Sequence, residues 1–126
     1  MSVAYYTALK EALPNFDPGV NGKALARVGD ALDNLARDNG TPPLMSFFSV
    51  SPDDIRAFAE DADVSLPQEQ WHSAKDGLTT VLQILQLVEN STLARKQEVL
   101  ADLEEFRKVL AKAAEHGIDW HLAIDY

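Results

Sequence analysis

The 126-residue chain contains no cysteine. That absence removes disulfides, thiolate metal ligands and cysteine nucleophiles together, and it fits a reducing compartment. Long hydrophobic runs are also missing. Nothing approaches the roughly 18 consecutive apolar residues of a membrane span, and no basic start leads into the apolar stretch of a secretion signal. Cations are scarce: 11 Lys and Arg face 20 Asp and Glu, for a formal net charge of −9. The excess is spread evenly, with 10 acids and 5 bases in residues 1–63 and 10 acids and 6 bases in residues 64–126. No basic run exceeds a pair such as Arg95–Lys96, so the clustered Lys and Arg needed to hold a phosphate backbone are absent. The expectation is a soluble cytoplasmic protein with neither nucleic acid nor membrane as partner. An acidic surface serves solubility first and can also attract a basic partner.

What is present is ordinary globular material, 46% hydrophobic and 25% charged, of a length that suits a single domain over residues 1–126. The strongest periodic signal is Leu93–His116, where Val99, Leu103, Phe106, Leu110 and Ala113 form one apolar seam. Ser91 or Thr92 can cap its start, and His116–Gly117 is a typical end. Such a helix is roughly 36 Å long, the diameter of a compact chain of this size. A second helix is predicted from Asn21 to about Asp38 with Leu25, Val28, Leu32 and Leu35 inward. A third opens at Ser51–Pro52 with Ile55, Phe58 and Ala59 buried. A fourth runs from Ala74 to about Val88, capped by Ser73, with Leu78, Val81, Leu82, Leu85 and Val88 as its core face. Gly77 in its first turn suggests a close approach to a neighbour. Leu44–Val50 reads as a turn or two of helix, and Ser65–Leu66–Pro67–Gln68 as a capping box opening a short turn through Trp71.

After Gly117 the period changes to two: Ile118, Trp120, Leu122 and Ile124 alternate with Asp119, His121, Ala123 and Asp125, the pattern of a half-buried strand. Residues 3–9 fit either a helix or a strand. A lone strand cannot satisfy its backbone groups, so the segment is assigned as the partner strand despite its helical propensity. The predicted fold is mainly α, with about four principal helices and a short two-stranded β-ribbon made by the N- and C-termini.

The chemistry-bearing residues have bland explanations. Gly19–Val20–Asn21–Gly22–Lys23–Ala24 looks like a phosphate-binding loop but has two residues between its glycines instead of four, and no Ser or Thr after the lysine. His116, Asp119 and His121 are close in sequence, yet only the last two share a strand face, so no metal site is predicted. Ser46, Ser49 and Ser51 lie outside any nucleophile-elbow motif. Glu104 is expected to be steadied by Lys108 on a wet helix face. Arg95 and Lys96 oppose the helix dipole in the first turn, which exposure makes tolerable. No cofactor is implied and no catalytic residue is identified.

The stretches FDPGVNGKALA (Phe16–Ala26), PLMSFFSVSPDDI (Pro43–Ile55), QWHSAKDGL (Gln70–Leu78) and WHLAIDY (Trp120–Tyr126) carry a resemblance to a group of small uncharacterised bacterial proteins. The resemblance implies a bacterial cytosolic origin and a free-standing domain, and it carries over no functional residue.

The remaining signal is aromatic. Phe47, Phe48, Trp71 and Trp120 lie outside the long helices, and His72 and His121 are beside the two tryptophans. These six are the predicted interaction or ligand surface. The first expectation is a small non-enzymatic interaction or regulatory protein with an unidentified protein partner. The alternative is a small enzyme or ligand-binding protein with its site near Trp71, His72, Trp120 and His121. Open edges of the terminal ribbon further predict a homodimer through the terminal strands.

Overall fold

The computed structural model describes residues 3–13, 22–49 and 70–125. The helix predicted from Ser51–Pro52 and the capping box at Ser65 lie outside the described residues.

The termini do meet. Strand β1 (Ala4–Leu9) pairs antiparallel with β2 (Trp120–Asp125), Tyr5 opposite Ile124 and Leu9 opposite Trp120, and Lys10 N–H extends the ladder to the Asp119 carbonyl at 2.9 Å. The chain is mainly helical, as predicted, with four α-helices among the described residues. The helix expected over 21–38 is two: α1 (Lys23–Arg27) and α2 (Gly29–Asp38), separated at Val28, whose φ of −108° and ψ of 17° break the helical path. The break brings Gly29 against the Tyr5 hydroxyl, which lies 2.5 Å from where a Cβ would stand. Leu25, Leu32 and Ala36 are fully buried, while Val28 and Leu35 sit at the core's margin. A single 3₁₀ turn, Leu44–Phe47, follows, and Phe48 is extended.

The hairpin of α3 (Ala74–Glu89) and α4 (Lys96–Glu115) forms the body of the molecule. The seam predicted for α4 is fully buried at Val99, Leu103, Phe106, Leu110 and Ala113. Its end is a Schellman arrangement: Gly117 adopts φ 67°, its N–H bonds the Ala114 carbonyl at 3.2 Å, and Ile118 N–H bonds the Ala113 carbonyl at 2.9 Å. A left-handed residue costs a glycine nothing, so the chain turns there and enters β2. The start differs from expectation. The helix begins at Lys96, not Leu93, because Arg95 is itself left-handed (φ 56°) and Ser91 accepts the Leu93 N–H in a local turn.

On α3 the predicted core face is rotated. Val81, Ile84 and Val88 are buried with Ala74, Gly77 and Thr80, whereas Leu78 and Leu85 are half-buried and Leu82 is 48% exposed. No charge lies between Gly77 and Val88, so hydrophobic spacing alone does not choose among faces of this helix. Contact chooses: a Cβ on residue 77 would stand 2.4 Å from Trp120 Nε1, and 77, 81, 84 and 88 follow one another along a single helix face.

Candidate functional site

Strand β2 organises the six predicted site residues. Its outer edge is joined by an isolated antiparallel bridge in which His72 N–H bonds the Trp120 carbonyl at 2.8 Å and Trp120 N–H bonds the His72 carbonyl at 2.9 Å. Two residues further along, Ser49 N–H bonds the Leu122 carbonyl at 3.1 Å in the parallel bridge of Phe48 to Leu122. Ser49 Oγ in turn accepts the Gln70 N–H at 2.8 Å, tying the two covering segments together. Residues paired directly across an antiparallel bridge project to the same face, and their chain neighbours project to the other. Five of the six therefore divide into two groups, and Phe48 is held separately by its bridge to Leu122.

On the core face His72 and Trp120 stand together under Phe47. The Phe47 ring stacks on Trp120 with centroids 5.2 Å apart and meets His72 edge-on, also at 5.2 Å. Trp120 is fully buried, and both its Nε1 and His72 Nε2 are inaccessible without a hydrogen-bond partner. On the opposite face Trp71 lies over His121 with centroids 4.7 Å apart. His121 is only 3% exposed, and its Nδ1 is 3.1 Å from the Leu122 carbonyl, a placement that suits a proton on Nδ1. The expectation that His121 and Ala123 form a wet face of β2 is thus corrected: both are buried, so this strand is covered on both sides. Trp71, His72 and Phe48 keep partial exposure; Phe47 and Trp120 are buried in the packing between β2, the 3₁₀ turn and α3.

Among the described residues two carboxylates have pKa values raised above the usual range, and neither belongs to this cluster. Asp102, on α4, accepts the N–H of Ala24 at 3.0 Å and of Leu25 at 3.3 Å; burial raises its pKa, and those two hydrogen bonds partly offset the rise. It caps α1, whose own N-cap is Gly22 and offers no side chain. Asp33, on α2, is raised chiefly by burial, opposed by the nearby Arg37 and by hydrogen bonds from the backbone of Met45 and Leu44 at the 3₁₀ turn. The buried Asp33 and the half-buried Asp102 both hold the free N–H groups of short helices, a structural use that sequence spacing does not reveal.

The other candidates resolve locally. His116 is exposed at the end of α4 while His121 is buried under Trp71, and no group of three or more metal-ligating side chains occurs among the described residues. Gly22 of the phosphate-loop look-alike is bridged to Tyr5, with N–H to carbonyl distances of 2.9 and 3.1 Å. Glu104 pairs with Arg107 at 2.8 Å, not Lys108, which reaches Glu105 at 3.5 Å. Arg95 pairs with Glu98 at 3.1 Å, and Lys96 Nζ donates to the Glu89 carbonyl, a cation at the C-terminal end of α3 where the helix dipole favours it. Among the described residues no helix is long and apolar enough to cross a membrane. No family model matches the chain, and neither a curated protein nor a solved structure is found similar to it.

Proposed function

We propose that the protein is a non-enzymatic interaction or regulatory protein that binds a protein partner. The observation that carries this reading is the outer face of α3. Leu82 is 48% exposed at the centre of an uncharged stretch, Gly77–Val88, on a chain of net charge −9. Charge depletion around an exposed apolar side chain is the composition of an interface centre, whereas solubility alone favours charge there. The partly exposed Trp71 over the outer face of β2 supplies a second, aromatic contact. The test is a photo-crosslinking residue placed at position 82 and, as control, at Gln97 on the exposed side of α4, in cells producing the protein. The reading predicts discrete adducts from 82 that are absent from 97. Identical adducts from both positions, or none from 82, would overturn it.

A ligand-binding or catalytic role at Trp71, His72, Trp120 and His121 is favoured by one observation, the buried His72 Nε2 without a hydrogen-bond partner. A guest able to bond that nitrogen would satisfy it. Nitrogen-15 spectra of the histidine rings, recorded during titration with a library of small polar fragments, test this. Saturable movement of the His72 Nε2 resonance supports the role, and a resonance indifferent to every fragment removes it.

A further inference from the structure

Resting on the interaction reading above, we propose that the partner seated on α3 is a second copy of this chain, packed antiparallel about a twofold axis through Leu82. The charge pattern of the helix carries the inference. Lys75, Thr79, Leu82, Gln86 and Glu89 are all exposed and recur at steps of four and three, so they lie on one face. Lys75 and Glu89 stand seven residues before and after Leu82, two turns away in each direction. A twofold axis perpendicular to the helix at Leu82 exchanges the two ends of the face. It brings Lys75 level with the partner's Glu89, and Glu89 level with the partner's Lys75. The half-buried Leu78 and Leu85 flank Leu82 on one side, Thr79 and Gln86 on the other. In the same pairing Leu78 meets the partner's Leu85, and Thr79 meets the partner's Gln86. The face is therefore self-complementary: leucine against leucine at the centre and along one flank, amide against hydroxyl along the other, opposite charges at both ends.

Neither Lys75 nor Glu89 enters an ion pair among the described residues, whereas Arg95, Arg107, Lys108 and Lys112 are each paired with a glutamate three residues away on their own helix. A parallel pairing would set Lys75 against the partner's Lys75 and Glu89 against the partner's Glu89, so charge selects the antiparallel register. The terminal strands, by contrast, are partly closed to a second copy. The outer edge of β1 is occupied at Tyr5 by Gly22, and that of β2 by His72 and Ser49. Two chains of net charge −9 repel, but at physiological salt that repulsion is screened over about 8 Å, and the uncharged stretch keeps like charges away from the contact. About four turns of helix bury less than the roughly 800 Å² per partner of a standard interface, so the dimer belongs to the weak, transient class.

Charge reversal on the full chain tests the register, read by sedimentation equilibrium up to millimolar concentration. K75E and E89K each place like charges at both ends and should weaken self-association by about tenfold. The double variant K75E/E89K should restore it, and an equimolar mixture of the two single variants should form heterodimers more tightly than either alone self-associates. L82E should leave only monomer. A wild-type chain that stays monomeric overturns the proposal, as does a dimer indifferent to L82E or a double variant no better than the singles. If position 82 crosslinks only to other proteins, the second copy is excluded while the interaction reading stands.

Discussion

The α-carbon of Gly77 faces the indole edge of Trp120, with Nε1, Cε2 and Cζ2 all within 2.4–2.5 Å of where a Cβ would stand. This contact sets the rotation of α3 about its axis and the depth of β2 against it, and so determines which side of α3 is left for a partner. Alanine at 77 would gain about 1 kcal/mol of helix propensity but must push the strand away. G77A is expected to destabilise the protein by about 1–3 kcal/mol in urea unfolding, the usual range for overpacking. In a W120F background the same substitution should cost distinctly less. Additive losses in the double variant would show that the contact does not set the packing.

How legible the fold was depends on whether the deciding contact is local. The period-two alternation from Ile118 to Ile124, together with the need of any strand for a partner, was enough to place the terminal ribbon. The α4 seam was readable because charges mark its wet side. On α3 no charge separates the faces between Gly77 and Val88, so Leu78, Leu82 and Leu85 looked as inward as Val81 and Val88, and the buried Ile84 was passed over. Gly77 held the missing information: counting onward from the close approach gives 81, 84 and 88. The burial of His121 was not readable, because its cover is Trp71, delivered by a bridge between segments far apart in the chain. The sequence set Trp71 and His72 beside Trp120 and His121 without showing how they divide between the faces of β2; that division needed the His72–Trp120 register.

Asp102 reaches across 78 residues of sequence to cap α1, and its pKa is raised by burial. Removing the acceptor in D102A should cost about 1 kcal/mol, as for other lost helix caps. The pH dependence separates the cap from its charge. A carboxyl whose folded pKa exceeds its unfolded value holds its proton more tightly in the native state, so its contribution is fully present below the ordinary aspartate range and is lost as pH rises through the raised value. D102N keeps an acceptor and carries no charge. Stability measured from pH 3.5 to 7 should therefore decline less steeply with rising pH in D102N than in the wild type. A steeper decline would contradict the assigned direction.

Arg95 is the sole described non-glycine residue with positive φ, at 56°, and its side chain makes one exposed pair with Glu98. Such exposed pairs contribute little, whereas a left-handed backbone strains an L-residue by about 1–2 kcal/mol. R95G should raise stability by about 0.5–1 kcal/mol, with R95N intermediate, both read as shifts of the urea midpoint at unchanged slope. A loss of stability in both would mean that the Arg95 side chain contributes more to the α3–α4 turn than its exposed geometry implies.

Trp71 is the cover that separates His121 from solvent, and the bridge at His72 is what holds that cover in place. If the bridge is part of the stable core, the amides of His72 and Trp120, bonded to each other's carbonyls at 2.8 and 2.9 Å, should exchange with solvent deuterium on the same slow timescale as Leu103 and Leu110 in α4. In W71A the His121 ring loses its stacked neighbour, and the strand keeps its core-face contacts to Phe47 and Gly77. The expected outcome is at least tenfold faster exchange at Trp120 and His72, with little change along α4, because only the outer cover of β2 has been loosened. Equal acceleration in α4 would mean that Trp71 supports the whole fold, and no acceleration anywhere would mean that the bridge holds without it.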